Sequence, residues 1–105
     1  MSQETFVYVS YPRTPDIKFD SEYYLRKHMA LVDEHWKQFG LKSWTVVEFP
    51  EGDASGMHTQ AILRFDNADG FEKAIAANIP EVMKDIENYS NVSPVRWFGK
   101  VTKEG

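Results

Sequence analysis

The chain has 105 residues, with 16 Asp and Glu against 12 Lys and Arg, and no cysteine. That length predicts one domain over residues 1–105, burying roughly 60–68% of its unfolded surface, which is enough for a core without disulfides or a structural metal. Scattered cations in an acidic chain argue against nucleic acid, and the missing thiols fit a cytoplasmic protein. With no charged-then-apolar leader and no apolar run near about 18 residues, neither secretion nor membrane spanning is expected.

The first predicted element is a strand, Thr5–Tyr11 (TFVYVSY), β-branched and aromatic and ended by Pro12. A turn-rich loop, Pro12–Lys18, leads to Phe19–Gly40, which holds an amphipathic helix. Asp20 reads as its N-cap, Phe19 and Tyr24 as a hydrophobic staple, and Gly40 as its C′ residue. Leu25, His28, Val32, Trp36 and Phe39 recur at helical spacing and predict the buried stripe. Ser43–Phe49 and His58–Phe65 read as a hairpin across the polar loop Pro50–Gly56. A second helix, capped by Asp66 or Asn67, runs to about Asn78 with Phe71, Ala74 and Ile75 inward. Pro80 opens a short helix carrying Val82, Met83 and Ile86 inward, and Ser93–Val101 closes as a fourth strand.

The order βαββαβ predicts an α+β, ferredoxin-like sandwich with both helices on one face of a four-stranded sheet. The other face is then expected to be polar, yet the strands are apolar on both sides: Phe6 and Tyr8 oppose Val7, Val9 and Tyr11, Trp44 and Val46 oppose Val47 and Phe49, and Trp97 opposes Phe98. Doubly apolar strands are covered on both faces. A second copy, sheet against sheet, is the expected cover, giving a homodimer with a shared barrel; aromatic scatter on a solvated sheet is the alternative.

His28 lies within an apolar stripe, where burial and hydrogen bonding tune its proton affinity. It reads as a general acid or base facing a ligand between helix and sheet, or else as a buried neutral histidine bonded to a carbonyl or carboxylate. Tyr11 ends the first strand while Tyr23 and Tyr24 open the helix, so their phenols are placed to meet at one rim of that gap, for ligand binding or for core packing. Trp36, Trp44 and Trp97 read as core, interface or stacking residues, and Arg64 and Arg96 as clamps for an acidic ligand or as solvent-facing strand residues. His35 lies about 10 Å along the helix from His28, too far to share a metal, and no HExxH set occurs. The second helix holds no histidine for a haem, and there is no GxGxxG or P-loop, so no cofactor and no metal are expected.

Tyr11-Pro12, Phe19-Asp20, Tyr23-Tyr24, His28-Met29 and Leu31-Val32, followed by Ala61–Asp66 (AILRFD) and Asp85–Tyr89 (DIENY), resemble the EthD family of stress-responsive dimeric α+β barrels. The similarity spans nearly the whole chain, with Ala30 where the family usually has proline. The resemblance implies a small dimeric barrel without an obligatory cofactor, from a family often labelled reductase or oxidoreductase. Related barrels act as polyketide cyclases, dehydratases or cofactor-free monooxygenases. Asp85, in the late-helix signature, then reads as a partner that orients His28 or binds a hydroxyl, and equally as a surface or capping residue; Asn88 and Tyr89 share that ambiguity. The expected catalytic pair is His28 and Asp85, with Tyr11, Tyr23, Tyr24, Trp36, Asn88 and Trp97 as substrate-binding candidates. The functional expectation is a cofactor-independent enzyme acting on a small aromatic or polyketide-like compound by histidine acid/base chemistry. The alternative is a non-catalytic ligand-binding or stress-related barrel.

Overall fold

The computed structural model describes residues 4–105. Four strands, β1 (Thr5–Pro12), β2 (Leu41–Glu48), β3 (Met57–Phe65) and β4 (Val95–Lys100), form one antiparallel sheet in the order β2-β3-β1-β4. Val7 pairs with Leu63 on one side and Phe98 on the other, which sets the register of the central strand. Between β1 and β2 runs a long helix, α1. Between β3 and β4 come α2 (Ala68–Ala77) and α3 (Pro80–Met83), the latter continuing into a 3-10 turn, Lys84–Asn88. The fold is the expected ferredoxin-like α+β sandwich.

α1 changes pitch along its length. It is α-helical over Ser21–Tyr23, widens to π-helix over Tyr24–His28, returns to α over Met29–Trp36 and tightens to 3-10 over Lys37–Phe39. Of the residues it buries, Tyr24, His28, Val32 and Trp36 are four apart, and Met29 lies beside His28. On an ideal α-helix such a series drifts about 40° per step around the axis. The wide turn, closed by the Met29 amide on the Tyr24 carbonyl, takes up part of that drift. It also corrects the expected stripe: Tyr24 faces the core, whereas Leu25 is 44% exposed.

The ends of α1 are fixed by their caps. Asp20 accepts from the Tyr23 amide at 3.0 Å, and the Phe19 and Tyr24 rings lie 5.1 Å apart, as the staple requires. Gly40, at φ 99°, takes the left-handed C′ conformation. Of the two expected caps for α2, Asn67 is the one used, accepting from the Gly70 amide. Gly70 lets α2 meet the end of α1, since a Cβ there would sit 2.0 Å from the Phe39 carbonyl oxygen.

Two aromatic clusters fill the space between helices and sheet. Trp36, Phe65 and Phe71 occupy one end; Tyr11, Phe19, Tyr24 and Tyr89 occupy the other. The chain entering α1 is tied to the chain leaving the 3-10 turn: the Asp20 amide donates to the Tyr89 carbonyl at 2.8 Å, and Phe19 bridges Ser90. That tie brings the late-helix segment against α1, opposite His28. On the far face of the sheet, Tyr8 and Trp97 stack at 6.1 Å and the Arg64 guanidinium lies over Phe6. Val47, Val95 and Trp97 remain exposed there.

Candidate active site

His28 stands at the C-terminal end of the wide turn of α1, 5% exposed, with its ring nearly parallel to that of Tyr24 at 5.5 Å and tilted against Tyr89 at 4.7 Å. Its Nδ1 is 3.0 Å from Asp85 Oδ2. The other carboxyl oxygen, Oδ1, accepts from the Tyr23 hydroxyl at 2.6 Å and from Asn88 Nδ2 at 2.9 Å. Three donors thus converge on a carboxyl that is itself buried. Burial pushes the Asp85 carboxyl up, but the bonds from Tyr23, Asn88 and His28 prevail and hold it below the usual carboxylate range. Burial lowers His28 below the ordinary histidine value, partly offset by the hydrogen bond and charge of Asp85.

A deprotonated carboxylate only accepts, so the shared hydrogen belongs to Nδ1. Nε2 of the neutral ring is therefore the unprotonated, basic nitrogen, and no hydrogen bond engages it among the described residues. The ring lines a small cavity of about 30 Å³ between α1 and the sheet. Val9, Val32, Ala61 and Leu63 give it apolar walls; Tyr11, Tyr24, Trp36 and Arg96 supply the other polar atoms. Tyr11 and Tyr89 share a hydrogen bond between their hydroxyls. Burial raises Tyr11 to about 12 and moves Tyr24 and Tyr89 upward as well, so all three phenols stay protonated at neutral pH.

Of the expected ligand-binding side chains, Tyr11, Tyr24 and Trp36 line the cavity beside His28. Tyr23 and Asn88 do not. Tyr23 precedes Tyr24 by one residue, about 100° around the helix, and its hydroxyl reaches Asp85 behind the imidazole instead. Trp97 is also corrected: strand alternation turns it to the far face of the sheet, where it stacks on Tyr8. The same alternation brings Arg96 to the cavity, paired in register with Val9, while Arg64 sits on the far face. Among the described residues no group of three or more His, Asp or Glu is placed to hold a metal ion.

No family model and no curated protein matches the sequence. Solved structures do. An EthD-like protein from Ralstonia eutropha is 28% identical, over 100% of this chain and 97% of the other, with a TM-score of 0.86. The chain resembles EthD-family proteins along its whole length. An ethyl tert-butyl ether D (EthD) family protein from Bacillus halodurans shares the fold at 15% identity, over 95% of this chain and 99% of that one, with a TM-score of 0.63. A cofactor-independent oxygenase from Streptomyces nogalater does so at 12% identity, over 99% and 97%, with a TM-score of 0.62. In this chain the His28–Asp85 pair joins the first helix to the late-helix segment, two of the stretches that carry the sequence resemblance.

Proposed function

We propose that the protein is a cofactor-independent enzyme that moves a proton on a small aromatic or polyketide-like compound, with His28 as the general base and Asp85 as the residue that orients it. The observation that carries this reading is the 3.0 Å contact from Asp85 to Nδ1, which leaves Nε2 as the basic atom of a ring lining an apolar cavity. In the step envisaged, a C–H bond beside a substrate carbonyl breaks, its proton goes to Nε2, and the electron pair passes to the carbonyl oxygen as an enolate. Asp85 stabilises the imidazolium across Nδ1–H, and the proton later returns to carbon or to a leaving hydroxyl. The apolar walls keep water from competing and strengthen those few polar contacts. The similarity in fold to a cofactor-independent oxygenase supports a barrel that works with its own side chains.

The same reading includes a homodimer through the sheet faces. Phe6, Tyr8, Ile62 and Trp97 form an apolar far face that a second sheet would cover.

The test is incubation of the purified protein with candidate anthrones, polyphenols and β-keto aromatics. Turnover should fall by about 10²–10⁴-fold in His28→Asn. Turnover equal in the two proteins contradicts the reading. Binding without product over hours supports the ligand-binding alternative.

A further inference from the structure

The polar atoms around the cavity fall into two sets. The phenols of Tyr11, Tyr24 and Tyr89 satisfy one another. Three groups are left over: His28 Nε2, the Trp36 indole N–H and the Arg96 guanidinium. Trp36 is 3% exposed, and its buried Nε1 has no hydrogen-bond partner among the described residues. A buried donor without an acceptor calls for a missing partner, because leaving one unmade is costly. Arg96 stands in register with Val9 at the cavity wall, and among the described residues no carboxylate lies within ion-pairing distance of it. Its charge is felt inside: it pulls the Tyr11 phenol downward against the larger effect of burial. This is an unneutralised cation in a chain whose net charge is −4.

Among the described residues no carboxylate lines the cavity. Its free groups are therefore one neutral donor and one basic nitrogen set in apolar walls, with one solvent-exposed cation, Arg96, at their edge. Such a set is complemented by a flat apolar body that carries negative charge and an acceptor oxygen, and that brings a removable proton to the base. We propose that the cavity selects a small, single-ring aromatic anion, with its acidic oxygen at Arg96 and a carbonyl oxygen accepting from the Trp36 indole N–H. This inference rests on the cavity being the ligand site of His28. It adds what the ligand must carry.

Two pairs of probes test it in calorimetric or fluorescence titrations. The first pair is benzoate and benzamide, alike in shape and different in charge. The wild-type protein should bind the anion at least about tenfold more tightly, as a charge-assisted contact requires, and Arg96→Gln should erase the preference while Arg96→Lys keeps most of it. The second pair is 4-acetylbenzoate and 4-ethylbenzoate. The acetyl compound should bind severalfold more tightly, and Trp36→Phe should abolish the difference between the two affinities, with an unchanged circular-dichroism spectrum showing that the variant is folded. Equal affinity for anion and amide, or a preference that survives Arg96→Gln, overturns the inference. The same titrations on His28→Asn separate it from the proposed chemistry. Retained anion preference in a variant that turns substrate over normally leaves the ligand class standing and removes His28 as the base.

Discussion

The Tyr23 hydroxyl donates over 2.6 Å to Asp85 Oδ1, the carboxyl oxygen that His28 does not use. Tyr23 and Asn88 lie outside the cavity and hydrogen-bond Asp85, through which they act in the proposed mechanism. Tyr23→Phe and Asn88→Ala should therefore lower kcat severalfold with little change in KM, and should raise the apparent pKa of the acid limb, because each deletes a bond that favours the carboxylate. A pH–rate profile of the two variants checks this. A change confined to KM would place these residues in ligand binding after all.

Stability should fall as the solution is acidified below the ordinary histidine pKa of about 6.5. His28 is lowered on folding by burial, so between its folded value and about 6.5 the unfolded chain binds the extra proton and acid favours unfolding. Asp85 is also lowered, and its contribution is lost further down, as pH falls through its folded value below the usual carboxylate range. Urea titrations from pH 7.5 to 3 should show a slope near pH 6 that is weakened in His28→Gln, the remainder coming from His58, which burial also lowers, and a second, lower slope that is weakened in Asp85→Asn. An unchanged slope near pH 6 in His28→Gln would mean the ring titrates as though in water.

Gly70→Ala should destabilise the fold by about 1–3 kcal/mol, since the added methyl group meets the Phe39 backbone rather than a side chain able to move aside. Thermal melts measure it. The loss should exceed that of Asn67→Ala, which removes one cap bond worth about 1 kcal/mol.

Much of this architecture was legible in the sequence. Alternating strands, Asp20, Gly40 and the Asn67 region located the elements, because caps and periodicity are local signals. The wide turn of α1 was not, since its i→i+5 bond changes which neighbour faces inward without leaving a residue signature, and Leu25 was assigned a face that Tyr24 occupies. The facing of Tyr23, Asn88 and Trp97 also escaped. Tyr23 and Asn88 meet Asp85 only because the chain around Phe19 is tied to the chain around Ser90. Arg96 was visible as a strand cation, but its cavity side follows from a register with Val9 that only the folded sheet defines.

The far face of the sheet gives a prediction of assembly. Trp97 is 44% exposed beside Tyr8, so Trp97→Glu would place a charge in the middle of a sheet-on-sheet interface while leaving the core untouched. Sedimentation should show a dimer for the native protein and a shift toward monomer for the variant, with little change in helix content. A native protein that sediments as a monomer at micromolar concentration contradicts the shared barrel.

The most direct measurement is long-range ¹H–¹⁵N NMR of the His28 ring at neutral pH, in native protein and in Asp85→Asn. The account predicts a neutral ring protonated at Nδ1 with a free Nε2 in the native protein, a fixed tautomer that becomes mixed once the carboxylate is gone, and a shift confined to Nε2 when an acidic aromatic ligand enters the cavity. A ring protonated at Nε2, or one indifferent to both Asp85 and ligand, would contradict it.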